Sequence, residues 1–388
     1  MFFCAAPLYS YMEIQREKLF LHPWDMKVIA RYGGLRGFLD AEERHWNQTA
    51  MPFLPSVHQA VDLLCSWEND PSVEKPWTRF LHNRALRRLY QVSNSPAAAY
   101  RTAFFLKRDK TCRVLHIPDR DLKKIQRRIL SKILAAAELP DCAIAYRAGA
   151  APRAGVIPHM GKPVLLKMDI LHFFDSITFE MVLSRAFPPQ YFPKPVRVLL
   201  AKLCCYCDRL PQGAPTSPAL SNIVMAPFDE YMSSYCEKQG IAYTRYCDDM
   251  SFSGDFKPGP LIEKVRRFLN AMGFAVNEKK TRVLRQSQRQ TVTGVVVNQK
   301  PQVPASYRRK IRQEMYYCKK YGVRSHILRT RQSEYITDSS RSHDGKRVYQ
   351  RRFLQHLLGK ISYALYINPE DTELCAYRDD CMRWLDRS

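Results

Sequence analysis

The sequence lacks any hydrophobic run long enough to cross a membrane. Its longest uncharged stretch, Leu210 to Phe228, contains four prolines, a Gln, an Asn and two serines, and such a segment cannot form a spanning helix. The N-terminal run MFFCAAPLYSYME has no basic region and reaches Glu13 early, which is unlike a secretory signal. We therefore predict a cytoplasmic protein with no membrane partner.

Cysteine is too sparse for a disulfide scaffold. The 12 cysteines among 388 residues have no regular spacing, which is typical of a protein from a reducing compartment. The one close group, Cys204, Cys205 and Cys207, has no second pair at zinc-binding spacing. We expect these thiols to be buried rather than bound to metal.

Acidic residues are too few to balance the basic ones. The chain has 61 Lys plus Arg against 37 Asp plus Glu, a formal net charge of +24. A surface with this excess attracts polyanions, with nucleic acid as the leading candidate and an acidic membrane surface as the second. Residues 101–132 hold eleven Lys or Arg against three Asp, and residues 300–331 hold ten against one Glu. We expect two separate basic surfaces.

Apolar strand patterns lie between the two basic regions. They are VLLKMDI (164–170), YTRYCDDMSFS (243–253) and TVTGVVV (291–297). Residues 1–90 consist of helical pieces broken by prolines, and helical periodicity returns after Pro304. The fold class predicted from this order is α+β, a sheet with helices packed on it and a helical N-terminal extension.

Three aspartates stand at the ends of predicted strands. Asp248 and Asp249 lie at the tip of a hairpin pattern, and Asp169 ends the apolar strand VLLKMD. Most isolated Asp pairs are solvated turn residues. An aromatic strand before the pair and a partner acid upstream instead favour a metal site, because a divalent cation removes the repulsion between clustered carboxylates. Such a site suits two Mg²⁺ ions and phosphoryl transfer.

The segment LPQGAPTSP, residues 210–218, is dense in residues that fix or free the backbone. Its prolines make the loop rigid, and Gly213 allows a ligand to approach the main chain. The loop is either a plain entry to the following helix or a binding element. In the second interpretation, Gln212 and Gly213 face an incoming nucleotide.

Taken together and in this order, DILHFF, LPQGAPTSP and YCDD resemble the palm motifs of reverse transcriptases. The resemblance runs from about Tyr100 to the C-terminus. It implies a right-hand polymerase fold with fingers at 91–165, palm at 166–300 and a thumb and RNA-recognition region at 301–388. It also implies RNA-directed synthesis of DNA from deoxynucleoside triphosphates with two Mg²⁺ ions.

The resemblance assigns roles to individual residues. The metal ligands it implies are Asp169, Ile170, Asp248 and Asp249. The nucleotide contacts it implies are Arg113, Lys107, Phe174, Gln212 and Gly213, with Phe174 excluding a ribose 2′-hydroxyl. Lys280, in the NEKKT run, is implied to protonate the leaving pyrophosphate. The alternative for the basic residues is ordinary solvated charge.

Within this family the sequence most resembles the bacterial retron type. The similar features are Cys-Cys-Tyr before the 210–218 loop, Val292-Thr293-Gly294, and the late GKISYALYINPE. Retron enzymes usually carry Asn-Ala-x-x-His before the first metal-binding strand, and this chain keeps His159 but has Gly155 at the Asn position.

The retron resemblance implies a structured non-coding RNA as partner. It implies priming from a guanosine 2′-hydroxyl, a branched RNA–DNA product (msDNA) and a part in anti-phage defence, with an effector or toxin protein as a possible further partner. The predicted RNA and primer contacts are Val292, Thr293, Gly294, Arg308, Arg309, Lys310, Arg312 and Tyr316. A plain basic thumb surface is the alternative for the last five.

Two other functions remain open at this point. One is a different bacterial defence enzyme or a reverse transcriptase like those of group II introns. The other is a catalytically inactive RNA-binding scaffold, which retention of Asp169, Asp248 and Asp249 disfavours.

Overall fold

The computed structural model describes residues 56–65, 89, 91–106, 112–147, 153–338 and 346–387. Most of the predicted helical N-terminal region and the predicted nucleotide contact Lys107 lie outside the described residues. No helix in the described part of the chain is long and apolar enough to span a bilayer.

Helices and strands alternate along the described chain. The helices are α1 (Val57–Cys65), α2 (Arg120–Lys132), α3 (Phe173–Ser176), α4 (Phe179–Ala186), α5 (Lys194–Cys204), α6 (Ser217–Lys238), α7 (Pro258–Ala271), α8 (Ala305–Tyr321), α9 (Val323–Arg329), α10 (Gln350–Ile367) and α11 (Thr372–Asp386). The strands are β1 (Tyr100–Leu106), β2 (Cys112–Pro118), β3 (Val164–Leu171), β4 (Ala242–Tyr246), β5 (Asp249–Gly254), β6 (Ala275–Val276), β7 (Arg282–Arg285), β8 (Thr291–Val292), β9 (Val295–Val296), β10 (Ile336–Asp338) and β11 (Lys346–Val348).

The central sheet has the strand order β4-β5-β3-β6, with β7 also pairing with β3. All its strand pairs are antiparallel. Strand β3 is buried along most of its length, as its continuous apolar run predicts for a central strand. Helix α6 packs on the sheet, where Phe228 meets the ring of Tyr243 from β4 edge to face. The helix and the central strands therefore share one core.

The β1–β2 hairpin and helix α2 form a layer beside this sheet. The hairpin is antiparallel, with Tyr100 opposite Pro118. Asp119 caps α2 by accepting a hydrogen bond from the Leu122 amide, and the apolar face of the helix is buried. The hairpin is therefore anchored at its base, while the opposite side of α2 keeps its basic residues in solvent.

A second core joins helices α8, α9, α10 and α11. Ile311 and Met315 of α8 pack there with Leu357 and Ile361 of α10. The same cluster contains Val292 and other apolar residues of the β8–β9 hairpin. The hairpin thus packs with the helices that follow it in the chain.

Candidate active site

Three aspartates from two parts of the chain meet at one edge of the sheet. Asp169, near the end of β3, pairs in register with Asp249, the first residue of β5. Asp248 lies in the two-residue turn between β4 and β5, and its carbonyl accepts a hydrogen bond of 3.1 Å from the Ile170 amide. Strand pairing therefore gathers the acids that the sequence separates by about 80 positions.

The turn that carries Asp248 has an uncommon backbone. Cys247, its first residue, has φ of +60°. This left-handed region favours glycine, so a cysteine there needs support from its surroundings. The β4–β5 turn is thus held in a conformation that its local sequence alone does not favour.

Two of the three carboxylates are bound by lysine side chains, and one of these two also accepts a hydrogen bond from an amide. Lys280 Nζ lies 2.8 Å from Asp169, and Asn277 Nδ2 donates to the same carboxylate at 3.1 Å. Lys167 Nζ lies 3.1 Å from Asp249. The hydrogen bond to Asp169 raises the pKa of Lys280, whereas burial and then the charge of Asp169 raise the pKa of Asp248. A cation bound beside Asp248 would therefore favour the charged form of this carboxyl group.

The donor chemistry of the cluster fits a divalent ion. Among the described residues no group of three His, Cys, Asp or Glu side chains is already arranged to hold a metal ion, and Asp169 and Asp249 are each paired with a lysine. Their carboxylate oxygens, with Asp248 and the predicted Ile170 carbonyl, are nevertheless the hard oxygen ligands that Mg²⁺ prefers. Burial first, and then the charge of Asp169, raise the pKa of Asp248, and a divalent ion bound there would offset both effects.

A cavity of about 370 Å³ brings together four of the predicted nucleotide contacts. Arg113 from β2, Phe174 from α3, and Gln212 and Gly213 from the 210–218 loop all line it. The residues that line it without having been predicted include Lys123, Arg127 and Tyr146. Three cationic side chains around one cavity suit a ligand that carries several phosphates.

Close contact with β2 fixes the 210–218 loop in place. The Gln212 carbonyl accepts a hydrogen bond of 2.8 Å from the His116 amide. Gly213 has φ of +119°, and a Cβ added there would lie 3.0 Å from the His116 carbonyl oxygen. Glycine is therefore required both by the backbone conformation and by the approach of β2.

Tyr146 connects this cavity with the turn that carries Asp248. It has φ of +62°, and its hydroxyl donates to Cys247 Sγ at 3.5 Å. Asn222 of α6 holds the preceding residue by donating to the Ala145 carbonyl at 2.8 Å. No sequence pattern pointed to Tyr146, because it belongs to a loop without periodicity.

Two other contacts were also missed, although the sequence contained a signal for each. Lys167 precedes Asp169 by two residues in a strand, and alternation places both on the same face. Asn277 is the first residue of the NEKKT run in which only the lysines were considered.

The predicted primer contacts at the β8–β9 hairpin separate into two kinds. Val292 pairs with Val295, and its side chain is only 1% exposed within the second core. Thr293 and Gly294 form the turn, both with positive φ. Val292 therefore supports the hairpin from inside, and only the turn residues are placed to meet a primer.

The predicted RNA contacts on α8 also fall into two groups, because two of the arginines are already paired with acids of the protein. Arg308 is ion-paired with Asp371 and Glu373, and Arg312 is paired with Glu373. These two arginines face α11 because its acids lie along the neighbouring side of α8. Arg309, Lys310 and Tyr316 are exposed, and Arg312 is exposed as well, with 54% of its side chain accessible although it is ion-paired.

One departure of this chain from the retron pattern concerns Gly155, close to His159. The buried ring of His159 makes hydrogen bonds of 2.7 Å with Ser253 and with Thr244, which tie two strands of the sheet to its own segment. A Cβ at Gly155 would lie 1.8 Å from Ile144 Cδ1. The space of a larger residue at 155 is thus filled by Ile144.

Comparison with known proteins identifies the family that the chain resembles. Residues 105–297 match the family model described as reverse transcriptase (RNA-dependent DNA polymerase). The chain is 33% identical over 294 residues to the retron Mx65 reverse transcriptase of Myxococcus xanthus, covering 70% of this chain and 62% of that protein. It is 31% identical over 195 residues to the retron Ec86 reverse transcriptase of Escherichia coli, covering 49% of this chain and 60% of that protein.

A further relative and one solved structure complete the comparison. The retron Mx162 reverse transcriptase of Myxococcus xanthus is 31% identical over 222 residues, covering 50% of this chain and 46% of that protein. The matched part thus spans 46% to 62% of the length of these three relatives. Telomerase from Candida albicans matches 74% of this chain and 61% of its own, with a TM-score of 0.38 and 12% identity, a likeness too weak to add to the assignment.

The family match covers the strands and the loop that carry the three motifs. It includes Asp169, Asp248 and the cavity residues on both sides of them. The predicted family and fold class are therefore confirmed. The chain belongs to the reverse transcriptase family, has a right-hand polymerase fold and is similar to the enzymes of the retron type.

Proposed function

We propose that this protein is an RNA-directed DNA polymerase. The observation that supports the proposal best is a group of three aspartates at the sheet edge whose turn is linked by Tyr146 to a cavity lined by Arg113 and Phe174. Acids alone would serve any metal site. Their link to a cationic cavity suits a nucleoside triphosphate whose α-phosphate is attacked at the carboxylate edge.

Different side chains have different roles in the proposed reaction. Asp169, Asp248 and Asp249, with the Ile170 carbonyl, would hold two Mg²⁺ ions, which when bound activate the primer hydroxyl and stabilise the leaving pyrophosphate. Arg113 is placed to bind the triphosphate through its guanidinium fork. Phe174 narrows the cavity where a ribose 2′-hydroxyl would lie, which favours deoxynucleotides.

Lys280 is proposed as the proton donor to pyrophosphate. Its side chain is 61% exposed and contacts Asp169, and this contact raises its pKa. The lysine therefore keeps its proton at neutral pH until negative charge develops on a leaving group nearby. Its exposure allows the side chain to move from Asp169 to the phosphate.

Primer extension tests the polymerase activity directly. Wild-type protein is expected to extend a DNA primer on an RNA template with Mg²⁺ and deoxynucleotides. Asp248→Asn should reduce extension to background while leaving RNA affinity nearly unchanged, since it removes a metal ligand and no phosphate contact. Asp255→Asn, at an exposed position just after β5, is the matched control and should extend normally. Full activity of Asp248→Asn would refute the site.

The retron relatives support a more specific proposal for the template, the primer and the product. We infer a structured non-coding RNA as template, priming from a guanosine 2′-hydroxyl, and a branched RNA–DNA product that serves anti-phage defence, with an effector protein as a possible partner. The identity to three retron enzymes over 46% to 62% of their length supports this inference. The surface offered to RNA is the exposed face of α8 that carries Arg309, Lys310 and Tyr316.

Nucleic acid co-purified with the protein tests the retron assignment. The expected species is DNA joined to RNA through a 2′ linkage, detected as a shift in gel mobility after treatment with a debranching enzyme. Linear product would instead favour another defence enzyme or a reverse transcriptase like those of group II introns. Bound RNA without any DNA, together with inactive wild-type protein, would favour the inactive scaffold.

A further inference from the structure

A buried ion pair lies directly beneath the catalytic turn. Arg245 of β4 and Asp229 of α6 are both 0% exposed. Arg245 Nε donates to Asp229 Oδ1 at 2.8 Å, and Nη2 donates to Oδ2 at 2.5 Å, which makes a two-point contact. Tyr243 completes the set by donating its hydroxyl to Asp229 Oδ1 at 2.8 Å. The pair is therefore geometrically complete.

The same guanidinium also reaches the turn. Arg245 Nη1 donates to the Cys247 carbonyl oxygen at 2.9 Å. This carbonyl belongs to the peptide between Cys247 and Asp248, so the contact fixes the orientation of the peptide that carries the central metal-binding acid. Because Cys247 has φ of +60°, the turn depends on such support from outside.

The backbone of Arg245 is fixed as well. Its amide donates to the Cys142 carbonyl at 2.7 Å, and its own carbonyl accepts from the Ile144 amide at 3.0 Å. The backbone of Arg245 and the two contacts of its guanidinium with Asp229 are all fixed. Nη1, the remaining guanidinium nitrogen, can therefore occupy only one position. Arg245 is thus a rigid link between α6 and the turn.

Helix α6 also holds the nucleotide side of the site. Ser217, at its start, donates to the Pro211 carbonyl of the 210–218 loop at 2.7 Å, and Asn222 holds the segment that carries Tyr146. Asp229 lies further along the same helix. One helix therefore sets the positions of the nucleotide loop and of the catalytic turn relative to each other.

Stability alone is a poor explanation for this pair. A buried ion pair often contributes no more to folding than well-packed apolar residues of similar volume, because desolvation offsets the attraction. Apolar side chains at 229 and 245 would fill the same space but could not hold the Cys247 carbonyl. The distinctive contribution of Arg245 is therefore orientation.

We propose that Asp229 and Arg245 are positioning residues, which hold the Cys247–Asp248 turn so that Asp248 faces the reacting phosphate. The proposal rests on the polymerase function proposed above. It predicts that loss of the pair lowers the rate of the chemical step and leaves nucleotide and RNA binding nearly intact, since neither residue lines the nucleotide cavity.

The decisive variant is the double substitution Asp229→Leu/Arg245→Met. It removes both charges together and so leaves no unpaired charge in the core. We expect kcat for primer extension to fall about 10²-fold, the cost of a small misplacement of a catalytic group. KM for the deoxynucleotide and Kd for RNA should change by less than about threefold. A folded double variant with wild-type kcat would overturn the proposal.

A second readout does not depend on activity. Cys247 is 6% exposed, so its alkylation by iodoacetamide, followed by peptide mass spectrometry, reports how often the turn opens. The double variant should react about tenfold faster at Cys247, while Cys204 in the core keeps its rate. An unchanged rate at Cys247 would show that the pair does not hold the turn. If wild-type protein makes no DNA, the polymerase proposal fails, and the alkylation rate still decides this one.

Arg245→Lys covers the case in which the double variant does not fold. Lysine keeps the charge opposite Asp229, but an ammonium group cannot serve the carboxylate and the Cys247 carbonyl in the fork geometry of arginine. The same fall in kcat is expected, and wild-type kcat would refute the proposal. Glu314→Leu/His326→Leu removes a partly buried pair of the second core in the same way and, as the matched control, should leave kcat unchanged.

Discussion

The two kinds of arginine on α8 should respond differently to removal. Arg309 and Lys310 are exposed, whereas Arg308 and Arg312 are already paired with Asp371 and Glu373 of α11. We expect Arg309→Ala/Lys310→Ala to weaken RNA binding. Arg308→Ala/Arg312→Ala should instead weaken the contact between two helices.

The size of each effect can be worked out from these contacts. Each lost phosphate contact lowers the slope of log K against log salt by about 0.7 for a single strand and about 0.9 for a duplex, so the exposed pair should lower it by about 1.4 to 1.8. The paired arginines should leave the slope unchanged, because their charge is neutralised within the protein. Removing them should lower the unfolding free energy, because Asp371 and Glu373 lose their partners.

Fluorescence anisotropy with a labelled hairpin RNA, over a series of KCl concentrations, measures the slopes. Thermal unfolding of the same variants measures the cost to stability. The two double variants remove the same number of positive charges from one helix, so each is the control for the other. An equal loss of slope in both would refute the division of α8 into an RNA-facing side and a side that faces α11.

Three further predictions concern the site and its support. Phe174→Ala should lower discrimination against ribonucleotides by about 10- to 100-fold, measured as the ratio of kcat/KM values. Gly213→Ala should raise KM for deoxynucleotides because its Cβ would meet the His116 carbonyl, whereas Gly161→Ala, which also has positive φ but open space around it, should not. Burial lowers the pKa of His159 to about 4, so the unfolded chain takes up a proton below pH 6.5 before the folded one does. The unfolding free energy from urea titration should fall by about 2 kcal/mol between pH 7 and pH 5, and His159→Gln should abolish that part of the fall.

The carboxylates could be predicted from sequence because each lies at or near the end of a strand whose pattern is local. Alternation around YCDD predicted a hairpin, and the apolar run before Asp169 predicted a strand. The glycine and prolines of the 210–218 loop are likewise local signals. Features that depend on a few neighbouring residues can therefore be predicted from the amino-acid sequence alone.

Contacts between distant segments were not accessible in this way. Nothing in the pattern of α8 shows that Arg308 and Arg312 meet acids about 60 positions later, because helical periodicity identifies a face but not its partner. Tyr146 was missed for the same reason, because its partner Cys247 lies about 100 residues later. Arg245 was missed because its position depends on Asp229, which belongs to helix α6 rather than to the hairpin.

The Gly155 position shows how a departure from a family pattern can be resolved by packing. At the position where retron enzymes usually carry Asn, the space next to the backbone is occupied by Ile144. His159, four residues later, bonds to Ser253 and to Thr244 and so bridges the two strands of the hairpin. The Thr244 hydroxyl also donates to the Gly155 carbonyl at 3.4 Å. The contact at 155 is therefore made by the backbone, which any residue supplies, and the His159 contacts that support the β4–β5 hairpin are present with glycine at this position.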